Sequence, residues 1–251
     1  MSKLPKTLAL LLPFATCLVS AHIRAQDGLV TAKVVIAGAG VRTSAKTSAS
    51  KNLDSSNVAV WLVPLDRQNA AMPVSSKLES PPQLVQRNKT FEPHVLIVPL
   101  GTLVEFPNRD PFFHNIFSLY DGRRFDLGLY ESGTTRSVRF DRPGVSFLFC
   151  NIHAEMSAVV LSVDTRYFAL SDRSGNVILR NVSDGRYKLN VWFERSSPED
   201  LKSLTRVVTV SDLSRNLGPI HLAEIPNFTP AHKNKYGLDY VPPPNPDYDR
   251  P

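Results

Sequence analysis

Between residues 91 and 163 every apolar run is short, and each is cut off by residues that turn a chain. Runs at 95–98, 102–106, 114–119, 136–140, 145–150 and 158–163 are separated by turn sequences such as Pro99-Leu100-Gly101, Asn108-Arg109-Asp110-Pro111 and Asp141-Arg142-Pro143-Gly144. Proline fixes φ and lacks a donor, glycine accepts positive φ, and Asn or Asp closes a turn with its own side chain. A chain punctuated this often builds strands rather than helices, and strands at this spacing pack as a β-sandwich. No apolar stripe is long or regular enough for a helical bundle. The expected class is all-β.

The same reading extends outward from this block. Residues 29–36 and 58–64 are strand-like, with a Ser/Thr/Ala/Lys loop expected over 38–57 and a polar, Pro-containing stretch over 66–88. A second, smaller β-sandwich is expected from residue 165, with strands at 167–170, 177–180, 187–193, 206–210 and 220–223. Ser171 to Gly175 and Ser183-Asp184-Gly185 have hairpin-turn chemistry. Ser197-Pro198-Glu199-Asp200 reads as a helix start, with a capping serine, proline at the first position and acids at the positive end of the dipole. The expected division is 26–164 for the first domain, with its defining motifs in 85–164, then 165–225 for the second, then a Pro-rich extended tail over 226–251.

Residues 1–25 carry Lys3 and Lys6, a short apolar run interrupted by Pro13, and small residues at Ser20 and Ala21. That is the pattern of a secretory signal peptide, too short for a spanning helix, with cleavage after Ala21 or Ala25. Thr16 in front of Cys17 fits a lipid-anchoring signal poorly. The expectation is an exported protein, periplasmic or secreted, with no transmembrane segment. Losing Lys3, Lys6 and Arg24 with the leader lowers the formal charge from +6 to +3. No basic stripe with interleaved aromatics remains, so no nucleic acid partner is expected. Of the two cysteines, only Cys150 remains. Exported proteins normally pair their cysteines. A solitary thiol calls for another explanation.

Cys150-Asn151-Ile152-His153-Ala154-Glu155-Met156 supplies one. Cys, His and Met are the soft and borderline donors that favour copper. Two residues separate Cys150 from His153 and two more separate His153 from Met156, so a strand ending at Cys150 and a tight turn can aim all three side chains at one point. One short loop cannot surround an ion, and His114, after the turn at 108–113, is the natural fourth donor. Two imidazoles and a thiolate in a plane, with a long axial thioether, form a blue-copper set.

The strings Val104-Glu105-Phe106-Pro107-Asn108-Arg109-Asp110, His114-Asn115-Ile116-Phe117-Ser118 and Phe149-Cys150-Asn151-Ile152-His153-Ala154-Glu155-Met156 together resemble the cupredoxin (plastocyanin/azurin) family, and the short ligand loop resembles that of amicyanin. The resemblance covers roughly residues 85–165. It implies a Greek-key β-sandwich holding one type 1 copper per chain, with His114 as the upstream ligand, Cys150 as the thiolate, His153 as the ligand nearest solvent and Met156 as the axial donor. It also implies that Asn115, beside the first histidine, ties the two ligand-bearing loops together. The segment 125–130 and the long amino-terminal extension depart from the family's pattern. Residues 165–225 resemble, through turn residues and core aromatics, the carboxypeptidase regulatory-like (transthyretin-like) sandwich.

The expected function is therefore one-electron transfer with a redox partner protein, without enzymatic turnover. A copper carrier or storage protein, and an adhesion or carbohydrate-binding module with a vestigial copper site, are the alternatives. Phe113, Phe117, Phe147 and Phe149 are expected to keep water from the site. His94 is expected at a strand edge rather than on a metal, Glu155 as a solvated loop carboxylate, His221 and His232 as structural or solvated, and Tyr187 and Trp192 as core. Asn88, Asn181 and Asn227 head glycosylation-like triplets that can arise by chance.

Overall fold

The computed structural model describes residues 28–37, 54–66, 80–119, 121–228 and 232–240. The expected signal segment, Cys17, most of the 38–57 loop and the end of the tail lie outside the described residues. Within them the chain is all-β apart from one short helix. Two strands come first, β1 (Gly28–Ala37) and β2 (Ala59–Pro64). Nine follow in close succession: β3 (Val85–Arg87), β4 (Thr90–Glu92), β5 (Val95–Pro99), β6 (Thr102–Pro107), β7 (His114–Ser118), β8 (Phe125–Tyr130), β9 (Thr135–Phe140), β10 (Gly144–Phe149) and β11 (Ser157–Val163). The chain then forms β12 (Phe168–Leu170), β13 (Asn176–Val182), β14 (Gly185–Trp192), α1 (Pro198–Leu204), β15 (Arg206–Val210) and β16 (Asn216–Ala223). Helix α1 is capped as its sequence predicts, with the Ser197 side chain accepting from the Asp200 N–H.

Strands β5-β11-β10-β7-β8 form one sheet, and the antiparallel pair β6–β9 faces it. Val104, Phe106, Val138 and Phe140 from the pair meet Ile116, Leu148 and Val160 from the sheet in a closed apolar core. At one end of that core lie Cys150 and Met156, both buried.

The second sandwich corrects the expected domain boundary. Strand β1 does not join the 85–164 block; it lies between β13 and β16, antiparallel to the first and parallel to the second. Strand β2 likewise pairs with β12 and β14. The physical reason is in the alternation of β1, which points Val30, Ala32, Val34 and Ile36 inward against Leu62, Leu179, Tyr187, Leu189 and Ile220. Backbone chemistry fixes the fit. The Val34 N–H donates to the Gly175 carbonyl at 2.7 Å, and a Cβ at Gly175 (φ +83°) would stand 2.2 Å from the Val34 carbonyl oxygen. The strands from β3 to β11 are therefore an insertion between β2 and β12.

An apolar seam joins the two sandwiches. Ala59 and Trp192 from one bury themselves with Val95, Val159, Leu161 and Val163 from the other, and Phe147 tilts against Trp192 at 6.4 Å. Trp192 and Tyr187 are thus packing residues, as expected. Beside the seam, His94 Nε2 lies 2.6 Å from Glu194 Oε2 and His94 Nδ1 lies 3.1 Å from the Ser157 carbonyl. Both ring nitrogens face acceptors, which favours the imidazolium. The Glu194 hydrogen bond is the largest influence and raises the His94 pKa above its ordinary 6.5, against the opposing effect of burial. A raised folded-state pKa stabilises below the unfolded value and loses that contribution as pH rises through the folded value. We therefore expect stability to decline as pH rises from about 6.5, and Glu194→Gln to flatten that decline. The effect is small because solvent reaches part of His94. Urea midpoints across this range check it; an identical slope in the variant rules it out.

Candidate metal centre

The upstream histidine is placed by a turn that three segments build together. After β6, the buried Asn108 donates from Nδ2 to the Phe112 carbonyl (2.8 Å) and the Tyr130 carbonyl (3.3 Å), and its Oδ1 accepts the Asp110 N–H at 3.0 Å. Asp110 is turned inward by this arrangement. Its Oδ1 accepts the Asn88 N–H (2.6 Å), and its Oδ2 accepts the Lys89 N–H (3.0 Å) and His114 Nε2–H (2.7 Å). Asn88 and Lys89 both have positive φ at the tip of the β3–β4 hairpin, a conformation that aims two successive N–H groups at one carboxylate. Asn88 thus has a structural role in its main chain.

These bonds fix the protonation of His114. Burial lowers the His114 pKa, and the Asp110 bond offsets this only in part. Burial raises the Asp110 pKa, but the His114 hydrogen bond and the two N–H groups outweigh it and leave the carboxyl below its ordinary range. The pair is a carboxylate and a neutral imidazole whose proton sits on Nε2. His114 Nδ1 therefore presents a lone pair, and it faces Cys150 Sγ at 3.7 Å.

The other donors come from the loop that joins β10 to β11. The β10–β11 ladder runs to Phe149 and Ser157. Above it the Cys150 N–H donates to the Met156 carbonyl (3.3 Å) and the Met156 N–H to the His153 carbonyl (3.2 Å). The two-residue spacings are what let the loop close this way. His153 Nδ1 lies 3.6 Å from Cys150 Sγ. Among the described residues, His114, Cys150 and His153 place one donor atom each within 4.8 Å of one another, and all three are buried. Met156 is 1% exposed at the foot of the loop, in the same apolar cluster as Cys150. His153, at 4% exposed, is the least buried of the four. Burial pushes the Cys150 thiol up, while N–H groups of Asn115, Ile152 and His153 aimed at the sulfur favour the thiolate.

The structure adjusts two supporting roles. The Asn115 side chain does not span the two loops; its amide donates to Asp126 Oδ1 at 2.7 Å on β8, and the link to Cys150 runs through the Asn115 main-chain N–H. Phe113 points outward and is exposed, whereas its neighbour Phe112 packs on both imidazoles, at 5.2 Å from His114 and 5.5 Å from His153. Phe117 and Phe149 are buried as expected, and Phe147 belongs to the seam. Glu155 and His221 are exposed. Asp110 and Phe112 escape a reading of the sequence because a turn aspartate and one of two adjacent phenylalanines carry no local sign of which way they face.

No protein-family model and no curated protein matches the chain. Solved structures similar to part of it include cupredoxins and a copper-containing enzyme. A purple cupredoxin from Nitrosopumilus maritimus is 24% identical over 33% of this chain and 99% of its own, with a TM-score of 0.31. A copper-containing nitrite reductase from Thermus scotoductus is 28% identical over 41% of this chain and 28% of its own, with a TM-score of 0.34. The reduced copper(I) form of an amicyanin point mutant is 17% identical over 37% of this chain and 90% of its own, with a TM-score of 0.32. Among the described residues, no helix is long and apolar enough to cross a membrane.

The Asp110 network makes its own prediction for the metal-free chain. Asp110→Ala takes the acceptor from the buried His114 Nε2–H and from the part-buried N–H groups of Asn88 and Lys89, and should lower the unfolding free energy by about 1–3 kcal/mol. Urea denaturation measures this; a change within error would mean that Asp110 is not what holds the turn.

Proposed function

We propose that this chain is an exported type 1 copper protein that carries single electrons to or from a redox partner protein in the periplasm or outside the cell. The observation that carries the reading is the convergence of Cys150 Sγ with the Nδ1 atoms of His114 and His153 in a buried site. A soft thiolate with two imidazoles suits copper, and the Met156 thioether in the same loop would add a weaker soft donor. His114, Cys150 and His153 would hold the ion, with Met156 as the fourth donor. When bound, copper would supply a one-electron couple.

The chain's own residues account for the rest. Asp110 keeps the His114 proton on Nε2 and leaves Nδ1 free to donate its lone pair. Three main-chain N–H groups stabilise negative charge on the Cys150 sulfur. Phe112 packs on both imidazoles and keeps water from them. All four proposed donors are buried, which favours a carrier over an enzyme that opens a coordination position to substrate. The smaller sandwich, read as a carboxypeptidase regulatory-like module, would serve as the frame into which the copper domain is inserted.

Adding copper(II) to the metal-free protein should produce intense thiolate-to-copper absorption and a matching electron paramagnetic resonance signal. Cys150→Ser should abolish the band, and its persistence would remove Cys150 as the thiolate. A wild-type protein that stays colourless would overturn the electron-transfer reading. Met156→Leu should keep the colour and raise the reduction potential, because a donor to copper(II) is lost; an unchanged voltammogram would take Met156 out of the set.

A further inference from the structure

The segment 232–240 runs back across the outside of the loop that carries Cys150, His153 and Met156. The Tyr240 hydroxyl donates to the Cys150 carbonyl at 2.7 Å. His232 Nε2 lies 2.8 Å from the Ala154 carbonyl, and its ring stacks on Phe149 with centroids 3.8 Å apart and planes 21° from parallel. Tyr240 closes edge-on against His232 at 5.2 Å. Between them the Lys235 N–H donates to Asn151 Oδ1 at 3.0 Å. The Lys235 ammonium pairs with Asp126 Oδ2 at 2.8 Å, and the other oxygen of Asp126 accepts from Asn115 beside His114. The segment has a shape of its own, since Asn234 Oδ1 accepts the N–H groups of Tyr236 and Leu238 and the Asn234 N–H donates to the Leu238 carbonyl.

We propose that residues 232–240 form a strap that fixes the ligand loop in place and limits metal exchange, resting on the copper reading above. The constraint is mechanical. His114 is held in the interior of a sheet and anchored from behind by Asp110. The three remaining donors share one loop, supported from below by the β10–β11 ladder. A metal can enter or leave a buried site only if some donor moves, and the loop is the side able to lift. Lifting it must break the Tyr240, His232 and Lys235 bonds and unstack His232 from Phe149. The strap is hydrogen-bonded to the main chain of the loop at Cys150 and Ala154 and to the side chain of Asn151, so it holds the loop whichever side chains line the site.

The test uses the full chain carrying His232→Ala and Tyr240→Phe together, with Lys233→Ala as control, because the Lys233 ammonium pairs with the exposed Asp239 within the strap itself. In the metal-free protein, amide hydrogen exchange across residues 150–156 should accelerate at least about tenfold in the double variant. Exchange in β1, β13 and β16 should not change, which separates loosening of the loop from general unfolding. In the copper-loaded protein, the rate of metal transfer to an excess of a chelator should rise by a similar factor while the absorption band keeps its position. Lys235→Met alone should give a smaller rise and Lys235→Arg should restore the wild-type rate, which keeps the test available if the double variant folds poorly. Unchanged exchange at 150–156 in the double variant overturns the strap. Failure of the wild-type protein to take up copper overturns the copper reading alone, and the metal-free exchange still decides whether the strap holds the loop.

Discussion

A thiol and two imidazoles buried side by side are costly to fold around, and much of the molecule is arranged to meet that cost. Burying a polar group without a partner costs roughly 2–7 kcal/mol. Here most of the partners are rigid. The sulfur of Cys150 faces three main-chain N–H groups. His114 Nε2 is answered by Asp110, and Asp110 by two N–H groups at the tip of a hairpin. What these partners leave open is the centre itself. The lone pair of His114 Nδ1 and the sulfur of Cys150 face each other at 3.7 Å with His153 Nδ1 3.6 Å from the same sulfur, a donor set that would hold the copper ion proposed above.

That centre needs a frame that does not relax toward it. The inserted sandwich supplies one by placing the Cys150 loop at the end of a β10–β11 ladder and His114 in β7, a strand buried along its whole length. The second sandwich supplies another, and its construction from both ends of the insertion has a physical consequence. Strands β2 and β12 pair directly, so the chain leaves and re-enters the outer sandwich at adjacent points. The apolar seam around Trp192 then adds burial on the side away from the metal loop's donors. The two sandwiches cannot swing freely about a single linker when two connections and a shared core join them.

Much of this was legible in the sequence, and what was legible was local. Most strands fell close to where alternation and turn residues put them, because those signals act over a few neighbours, whereas the short β3 and β4 and the partly exposed β8 were not anticipated. Cys150, His153 and Met156 could be grouped because their spacing is itself the geometry of one tight turn. His114 was picked out over His94 only by its place after the 108–113 turn, a weaker sign than ligand spacing. Pairing partners were not legible. β1 reads equally well as a strand for either sandwich, and only the unmet inward faces of β13 and β16 decide between them. Asp110 reads as an ordinary turn residue until Asn88 and Lys89, twenty or so positions earlier, are seen to point at it. His232 and Tyr240 sit in a stretch whose composition suggests an extended tail, and their contacts with the ligand loop span about eighty to ninety positions.

The two supports of the proposed metal site differ in kind, and the difference bears on what a site of this sort would have to do. Behind His114, Asp110 acts on a proposed donor directly and sets both its orientation and its basicity. Outside the loop, Tyr240 and His232 touch carbonyl oxygens of Cys150 and Ala154 and leave the donor atoms alone. A change at the first support alters the electronic character of the site as well as its shape, whereas a change at the second alters only how easily the loop moves. An electron carrier gains from both constraints, because a donor set that hardly shifts on oxidation and reduction needs little reorganisation. Retention of the ion gains mainly from the second. The asymmetry therefore separates two properties that are usually confounded in a buried metal site, one governed from inside the sheet and the other from the surface.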